Sequence, residues 1–322
     1  MKVALHLLNR IRRGGGENVA LNYSKVLLEL GIESFFIGKK DSQDYEEYIK
    51  DIVGVKEKLS LSVLRRADYI FIHSNKNLLR LFFQYFFFLN RKKKKIYYIQ
   101  HLCYGRVKFR LLSFFINRVC TAFIQITPIT SKHVSKCIKI PSHFIVNFYI
   151  NRYDEEQHKQ IRQNIRKENA IDDDKTVFIF SAVFKPGKRV GDFIQLAKHY
   201  QNNNQLVFLL LGDGPEAGIV RSYDGHNLIW AGLVNDVEKY LIASDVYVFT
   251  SQKEMMPMAL IEAINTKKKI IAYDTEVNRF LLNNEICSTF NDLIHRIDSD
   301  SYPTSLKKYD KAYAIKTLEK IL

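Results

Sequence analysis

The chain has 322 residues, of which 47% are hydrophobic, and it carries a formal net charge of +15. This length and apolar content suffice for two domains with buried cores and exclude a globally disordered chain. The charge is uneven, because residues 1–150 contain 26 Lys and Arg against 10 Asp and Glu, whereas residues 151–322 contain 23 against 24. We therefore expect the first half to meet an anionic partner or surface.

The sequence contains no targeting or membrane-spanning segment that we can identify. No apolar run reaches the roughly 20 residues that cross a bilayer, and the first strand pattern leads into a basic, glycine-rich loop instead of a cleavage site. The four cysteines lack zinc-site spacing and suggest reduced thiols; they are Cys103, Cys120, Cys137 and Cys287. We expect a cytoplasmic protein that is soluble or peripheral on the inner face of the cell membrane.

Short apolar runs rich in β-branched and aromatic residues predict strands of a buried parallel sheet in the first half. The predicted strands are Val3–Leu8, Ser34–Ile37, Tyr69–His73, Lys95–Gln100, Phe123–Thr127 and Phe144–Asn147. A helix is predicted at Asn18–Leu30, ending at Gly31. These elements predict an N-terminal domain at residues 1–150.

Residues 151–175 are polar and charged, and they predict a linker between domains. Asp172–Asp174 within it suggest either an acidic metal site or a solvated turn. We favour the turn, because no further ligand is placed nearby.

The second half alternates strands and helices more regularly, which predicts a doubly wound α/β domain at residues 176–304. Its predicted strands are Thr176–Ala182, Leu206–Leu211, Leu228–Trp230, Val246–Thr250 and Lys269–Tyr273. Its predicted helices are Gly191–Tyr200, Asp236–Ala243 and Met258–Asn265. A last helix is expected within residues 305–322, crossing back to the N-terminal domain.

Three loops at strand ends have the composition of ligand-binding loops. Gly14–Glu17 lets the backbone approach a ligand before a helix N-terminus, although a simple tight turn is equally consistent. Phe184–Arg189 places cations where a diphosphate would bind in an open α/β sheet, or where charges are merely solvated. Gly212–Glu216 is a turn on its composition alone and follows a third strand.

The strongest motif is Glu254–Glu262, in which two carboxylates flank a helix start at Pro257. Glu262 shares a helix face with Ala259 and Ala263, which leave room for a ligand. Carboxylates accept hydrogen bonds from sugar hydroxyls, and free first-turn amides favour a phosphate. The alternative is a surface glutamate on a half-exposed helix.

Together these motifs resemble the family-4 retaining glycosyltransferases, which have the GT-B fold. The matching segments are Gly14–Glu17, FKPGKRVGDFI from Phe184, LGDGPE from Leu211, AGLVNDVEKYLIASDVYVFTS from Ala231 and EMMPMALIEAI from Glu254. The last is similar to the family's Glu-x7-Glu signature. The resemblance implies two Rossmann-like domains facing across a cleft, an N-terminal acceptor-side domain and a C-terminal nucleotide-sugar-binding domain.

The resemblance also implies roles for individual residues. Lys188 is expected at the donor diphosphate, Glu254 at the donor sugar and His101 close to that sugar. Glu262 is expected to hold the nucleotide ribose. The other implied donor-binding residues are Gly15, Gly16, Lys185, Arg189, Gly214, Met255, Met256 and Pro257.

The sequence departs from the family pattern at several positions. Val183 stands where an arginine is usual, so Lys185 or Arg189 is a candidate to supply that charge, and Met255 stands where a glycine is usual. The stretch before the linker reads Asn147–Tyr149 instead of Asn-Gly, and the C-terminal region is short.

The implied reaction is transfer of a sugar, with retention, from a nucleotide-sugar onto a glycan or lipid-linked acceptor in bacterial surface polysaccharide synthesis. No metal and no other cofactor is expected. The alternatives are a GT-B partner subunit without catalysis, a Rossmann oxidoreductase and a basic nucleic-acid-binding protein. We do not expect nucleic-acid binding, because the aromatic residues are not interleaved with the basic ones.

The segment Leu78–Lys95 joins an aromatic stretch to the basic run Arg91–Lys95 and predicts docking on an anionic membrane surface. Arg106, Lys108 and Arg110 would extend that surface. The alternative is a core crossover helix with solvated lysines at its end.

Overall fold

The computed structural model describes residues 2–12, 14–41, 43–88, 93–102, 104–283, 286–302 and 309–322. The chain divides into two compact units. The first comprises Met1–Ile150 and Tyr309–Leu322, and the second comprises Asn151–Lys308.

The described part of the first unit contains a seven-stranded sheet in the order β3-β2-β1-β4-β5-β6-β7. All neighbouring strands are parallel. The strands are β1 Lys2–Ile11, β2 Ile32–Lys40, β3 Gly54–Lys56, β4 Tyr69–Ile72, β5 Lys95–Gln100, β6 Ala122–Gln125 and β7 Ser142–Phe144. The helices between them are α1 Gly15–Glu29, α2 Gln43–Ile49, α3 Leu61–Arg66, α4 Asn75–Arg80, α5 Arg106–Val119 and α6 Ser131–Cys137.

Two details of the first unit differ from the sequence prediction. The edge strand β3 was not predicted, because three residues are too few for a periodic pattern. The predicted strand Phe144–Asn147 is wrong, since the strand occupies Ser142–Phe144. Residues 145–148 are buried without belonging to a strand. The Val146 amide donates to the Tyr313 hydroxyl of the C-terminal segment at 3.0 Å, and Phe148 packs against Tyr23 and Tyr313, contacts that local sequence does not reveal.

The predicted aromatic stretch from Leu78 to Leu89 is divided between core and surface. After α4 the chain forms a π-helical turn at Leu81–Tyr85 and a short 3₁₀ turn at Phe86–Phe88. Leu78 and Leu81 are completely buried, whereas Phe87 is 95% exposed. Leu89, together with Asn90, Arg91 and Lys92, lies outside the described residues.

The second unit has a five-stranded parallel sheet in the order β10-β9-β8-β11-β12 among its described residues. The strands are β8 Thr176–Ser181, β9 Leu206–Leu211, β10 Leu228–Gly232, β11 Val246–Phe249 and β12 Lys269–Ala272. The helices are α7 Glu155–Glu168, α8 Val190–His199, α9 Ala217–Arg221, α10 Val237–Ala243, α11 Met258–Asn265, α12 Glu276–Leu282 and α13 Phe290–Asp298.

The prediction of a linker at residues 151–175 is wrong, because this segment contains α7 and belongs to the second unit. The helix begins with a capping box in which Asp154 and Gln157 satisfy each other's backbone amides. Its few apolar positions made the segment resemble a linker. Asp172–Asp174 lie in a turn before β8.

The chain ends with α14, Lys311–Glu319, which lies in the first unit. Its N-cap Asp310 accepts from the Tyr313 amide at 3.1 Å. Residues 303–308 lie outside the described residues, and they include residues 305–308 at the start of the segment predicted to hold the terminal helix.

A buried arginine on α7 holds the second unit together. Arg166 is 1% exposed, and it donates to the carbonyls of Ala243, Asp172, Asp173 and Lys175 at 2.9–3.2 Å. Its guanidinium also pairs with the Asp245 carboxylate at 2.9 Å. One side chain therefore donates hydrogen bonds to backbone carbonyls at the end of α10 and in the turn before β8.

We expect Arg166→Ala to lower the free energy of unfolding by about 3 kcal/mol or more, because several buried acceptors lose their donor. Urea denaturation measures the change. The exposed Lys159 on the same helix supplies the control, and Lys159→Ala should shift stability by no more than about 0.5 kcal/mol. Equal effects of the two substitutions would contradict this role for Arg166.

Candidate active site

The strand order of each sheet reverses beside its first strand, at β1/β4 in the first unit and at β8/β11 in the second. In open α/β sheets, ligands bind outside the carboxyl ends of the strands at such a reversal. The loops after β8 and β11 contain most of the residues predicted to bind the donor. The loop after β1 contains Gly15 and Gly16.

The loop after β8 is rigidly attached to the loop after β11. It forms a 3₁₀ turn at Pro186–Lys188, and Arg189 adopts a left-handed conformation before α8. Thr250, directly after β11, donates through its hydroxyl to the Lys188 carbonyl at 2.8 Å and to that of Arg189 at 3.1 Å. The Gln252 amide donates to the Gly187 carbonyl at 3.2 Å. The backbone around Lys188 is therefore fixed by the neighbouring strand end.

Lys188 and Glu254 meet in an ion pair at this edge. The Lys188 ammonium donates to a carboxylate oxygen of Glu254. The side chains are 19% and 22% exposed, so the pair is partly shielded from water yet open to a ligand. A charge-assisted contact of this kind orients both groups before a ligand arrives.

Glu262 lies in the first turns of α11 and is 7% exposed. Burial raises the pKa of the Tyr247 hydroxyl, and the nearby carboxylates of Glu262 and Glu254 raise it further. That hydroxyl lies 3.3 Å from the Ser181 hydroxyl at the end of β8. Both predicted carboxylates thus lie close to the ends of β8 and β11.

The residues between the two glutamates are largely buried. Met255 and Met256 are 9% and 5% exposed, and Pro257 is the N-cap of α11, whose first turn has no side-chain cap. Amides of an uncapped first turn have no partner within their own helix and are available to a ligand.

Arg189 and Lys185, the two substitutes for the missing arginine at Val183, differ in their surroundings. The Arg189 guanidinium pairs with Asp192 at 2.6 Å and lies 4.7 Å from the centre of the Tyr273 ring. Lys185 is exposed. Arg189 is therefore already held by its own unit, and Lys185 is the more available cation.

Backbone packing is sufficient to require a glycine at Gly214. Its φ of +156° and the 2.5 Å and 2.7 Å approaches that a Cβ would make to the Phe184 backbone exclude a side chain. The turn after β9 is thereby held against the loop that carries Lys188.

In the first unit, Gly15 and Gly16 begin α1, and a Cβ on either would meet nothing within 4 Å. The space above these glycines is open on their own unit. A Cβ on Gly14 would lie 2.5 Å from the Glu17 carboxylate, which folds back over the helix start. The Glu17 carboxylate therefore lies against the start of α1, where burial raises its pKa.

His101 follows β5 and belongs to a cluster that the sequence analysis missed. His6 Nδ1 lies 3.1 Å from His73 Nε2, and His73 Nδ1 lies 2.9 Å from His101 Nε2. Burial lowers the pKa of His6 to about 3 and that of His101 to about 4, and burial together with the two neighbouring rings lowers that of His73. The sequence contained one sign of this cluster, a histidine on or after each of three strands. Those strands become neighbours only in the folded sheet.

Residues 161–290 match the family model described as "Glycosyl transferases group 1". A relative from Escherichia coli, UDP-Gal:alpha-D-GlcNAc-diphosphoundecaprenol alpha-1,3-galactosyltransferase, is 31% identical over 151 residues. The aligned part is 44% of this chain and 38% of the relative. The sequence similarity therefore supports the predicted glycosyltransferase group over the region that contains Lys188, Glu254 and Glu262.

Solved structures match over almost the whole chain. HepE from Anabaena in complex with UDP-glucose has a TM-score of 0.74 at 14% identity, covering 99% of both chains. TarM from S. aureus has a TM-score of 0.68 at 11% identity, covering 100% of this chain and 95% of TarM. Sucrose-phosphate synthase from Thermosynechococcus elongatus has a TM-score of 0.63 at 14% identity, covering 100% and 93%. The prediction of a GT-B fold with two Rossmann-like units is confirmed.

We expect the histidine cluster to make stability fall on acidification. The unfolded chain binds protons near the ordinary histidine pKa of 6.5, whereas the folded cluster resists them to lower pH. The free energy of unfolding therefore keeps its full value above pH 6.5. Below that pH it decreases by about 1.4 kcal/mol per pH unit for each histidine that stays neutral in the folded protein. Urea denaturation between about pH 7 and about pH 5 measures the slope.

His101→Asn should flatten that slope, since one depressed titration disappears. His199→Asn, at an exposed position on α8, serves as the control. A slope that both variants leave unchanged would show that the cluster is protonated without cost in the folded state.

Proposed function

We propose that this chain is a retaining hexosyltransferase of the family-4 kind, which transfers a sugar from a nucleoside-diphosphate sugar to a glycan or lipid-linked acceptor. The observation that carries the proposal is the Lys188–Glu254 ion pair at the β8/β11 strand ends, with Glu262 near Tyr247 of β11, within the region that matches group 1 glycosyltransferases. The named partners of two similar proteins, UDP-glucose and UDP-Gal, make UDP-sugars the first donors to test.

The groups of the second unit suit departure of a nucleoside diphosphate. Lys188 supplies a positive charge for the diphosphate, and the uncapped first turn of α11 supplies amides. The diphosphate would compete with Glu254 for Lys188 and release that carboxylate toward the donor sugar. Glu262, deeper on α11, would accept hydrogen bonds from the ribose.

Lys185 is the cation that we propose in place of the arginine replaced by Val183. Arg189 is held by Asp192 and Tyr273, whereas Lys185 is exposed on the same loop. On the family resemblance alone, we also propose that Gly15, Gly16 and His101 of the first unit contact substrate.

We expect Glu262→Ala to weaken nucleotide binding and Glu254→Ala mainly to lower kcat. Each loss of a charged hydrogen bond should cost on the order of 1.5–3 kcal/mol. Calorimetric titration with UDP and UDP-sugars measures binding, and release of UDP measures turnover. The exposed Glu276 provides a control, since Glu276→Ala should change neither quantity. Activity in both site variants equal to that of the wild type would contradict the assignment.

We propose that the reaction needs no metal, because a cationic side chain and backbone amides are available for the diphosphate. No group of three or more His, Cys, Asp or Glu suited to a metal occurs in the described part of the chain. The same assay with excess EDTA tests this proposal, and loss of turnover that Mg²⁺ or Mn²⁺ restores would contradict it.

We further propose that the first unit docks on the anionic inner face of a cell membrane, where a lipid-linked acceptor would lie. The docking surface, which we call the aromatic–basic patch, consists of the exposed side chains of Phe83–Phe88 and of α5. On α5 an apolar stripe of Val107, Leu111 and Phe114 is 77%, 65% and 46% exposed. The π-helical turn packs against α5, with the Phe83 and Phe115 ring centres 6.0 Å apart.

Two lysines of the basic run are already bonded within the first unit, whereas α5 supplies exposed cations to this patch. Lys94 donates to the Arg65 and Ala67 carbonyls, and Lys95 donates to the Leu322 carbonyl, so both are engaged within the unit. Arg106, Lys108 and Arg110 are exposed, and α5 contains no acidic residue. Among the described residues, no helix is long and apolar enough to cross a membrane.

We expect the triple change of Arg106, Lys108 and Arg110 to Ser to weaken binding to anionic vesicles by more than about a hundredfold, because each cation adds roughly 1 kcal/mol. Cosedimentation with vesicles of phosphatidylglycerol and phosphatidylcholine, at low and high salt, measures the binding. Phe87→Ser should weaken it further by removing apolar insertion.

A matched loss of charge elsewhere provides the control, with Lys198, Lys316 and Lys320 changed to Ser. These lysines are exposed on α8 and in the C-terminal segment. If both triple variants bind anionic vesicles equally, or if the wild type binds neutral vesicles just as well, the patch is not a docking surface.

A further inference from the structure

Three histidines on neighbouring strands of the first unit form one continuous chain of hydrogen bonds. His6 lies within β1, His73 follows β4, and His101 follows β5. The two nitrogen-to-nitrogen distances, 3.1 Å and 2.9 Å, are those of hydrogen bonds. The His6 ring stacks on Phe71 at 4.9 Å, and the rings of His73 and His101 stack at 5.1 Å. This histidine chain leads from His6, which is completely buried, to His101, which is partly exposed.

Neutral rings restrict this chain to two arrangements. Burial holds all three rings neutral near pH 7. A neutral imidazole has one N–H donor and one acceptor nitrogen. Either every ring is protonated at Nδ1, so that His6 donates to His73 and His73 donates to His101, or every ring is protonated at Nε2 and all donors point the other way.

The inner end of the chain distinguishes the two arrangements. His6 Nε2 is buried and has no hydrogen-bond partner among the residues that the structure describes. In the Nε2-protonated arrangement it would be a buried N–H without an acceptor. In the Nδ1-protonated arrangement it is only an acceptor without a donor, and orphaned buried donors are the rarer of the two.

We propose that His6 and His73 are positioning residues that hold His101 in the Nδ1–H tautomer, so that it offers substrate a hydrogen-bond donor instead of a base. His73 occupies His101 Nε2 with its own donor, which leaves Nδ1–H as the free polar group of the ring. The position of His73 is fixed in turn by the pairing of β4 with β1, because the His73 backbone amide donates to the Leu7 carbonyl at 3.1 Å. The catalytic consequence rests on the proposed glycosyl transfer, whereas the tautomer does not.

The wild-type protein itself tests the tautomer. Nitrogen-15 NMR of histidine-labelled protein near neutral pH distinguishes protonated from unprotonated ring nitrogens. Assignment uses His6→Gln, His73→Leu and His101→Asn to identify each lost signal pair. We expect His6, His73 and His101 all to be neutral and protonated at Nδ1. An Nε2–H form of His101, or a doubly protonated ring, would overturn the proposal.

Removing the middle residue tests the coupling. In His73→Leu, His101 Nε2 loses its donor, and we expect the ring to change to the Nε2–H form that an unconstrained imidazole favours. The kcat should fall about tenfold or more with little change in KM for the donor. His143→Leu, on β7 outside the chain, should alter neither the His101 signals nor kcat.

A double-substitution cycle separates positioning from loss of structure. His101→Asn keeps an N–H donor near the place of Nδ1 and has no atom at Nε2, so it should retain more turnover than His101→Leu. In the His101→Asn background, His73→Leu should then have little further effect on kcat. Equal losses from His73→Leu in both backgrounds would overturn the positioning role.

The outcomes also distinguish this inference from the proposed function. Absence of turnover with every nucleotide-sugar would contradict the glycosyltransferase proposal, while the nitrogen spectra would still decide the tautomer. A changed tautomer with unchanged kcat would overturn the positioning role and leave the enzyme assignment intact.

Discussion

Parallel pairing of every strand is the constraint on which the rest of this structure depends. Parallel strands need a crossover after each strand, so all carboxyl ends in one sheet lie along the same edge. Lys188 and Glu254 are 66 residues apart in sequence, yet they meet there because β8 and β11 are neighbours. His73 and His101 meet for the same reason after β4 and β5. The inner strands β4, β6 and β11 are buried on both faces, which leaves the loops at this edge to carry the chemistry.

Three cations of the second unit are paired with a carboxylate. Arg166 is surrounded by carbonyls and Asp245, Arg189 is paired with Asp192 beside Tyr273, and Lys188 is paired with Glu254. The three pairs differ in exposure: the Arg166 side chain is 1% exposed, that of Arg189 is 34% exposed and that of Lys188 is 19% exposed. A buried pair resists exchange, because separating it leaves a desolvated charge. Lys188 is partly open and forms its ion pair with one carboxylate, whereas Arg189 is held by both Asp192 and the Tyr273 ring, so an incoming anion can recruit Lys188 more readily than Arg189.

The prediction was accurate for elements whose boundaries follow from a short stretch of sequence. The strand Leu206–Leu211 and the helix Met258–Asn265 have the predicted bounds, since one is a continuous apolar run and the other follows Pro257. The predictions that failed concern segments whose structure depends on contacts distant in the sequence. Val146 and Phe148 contact Tyr313, which is 167 residues from Val146 in the sequence, and α7 is held by Arg166 although its composition resembles a linker.

The same distinction applies to the candidate site. Lys188, Glu254 and Glu262 could be nominated because each belongs to a short motif at a predicted strand end. His6 and His73 belong to no motif, and only the strand order β1-β4-β5 places them beside His101. The missing arginine at Val183 was visible in sequence, but the choice between Lys185 and Arg189 depended on the position of Asp192 and Tyr273.

The two units carry complementary kinds of polar group. The second unit places charged groups at its strand ends, which suit the charge of a diphosphate. The first unit places a chain of neutral imidazoles at its strand ends, and neutral donors suit the hydroxyls of a sugar. Burial keeps the rings of His6, His73 and His101 uncharged near pH 7, so these histidines can form hydrogen bonds without attracting an anion.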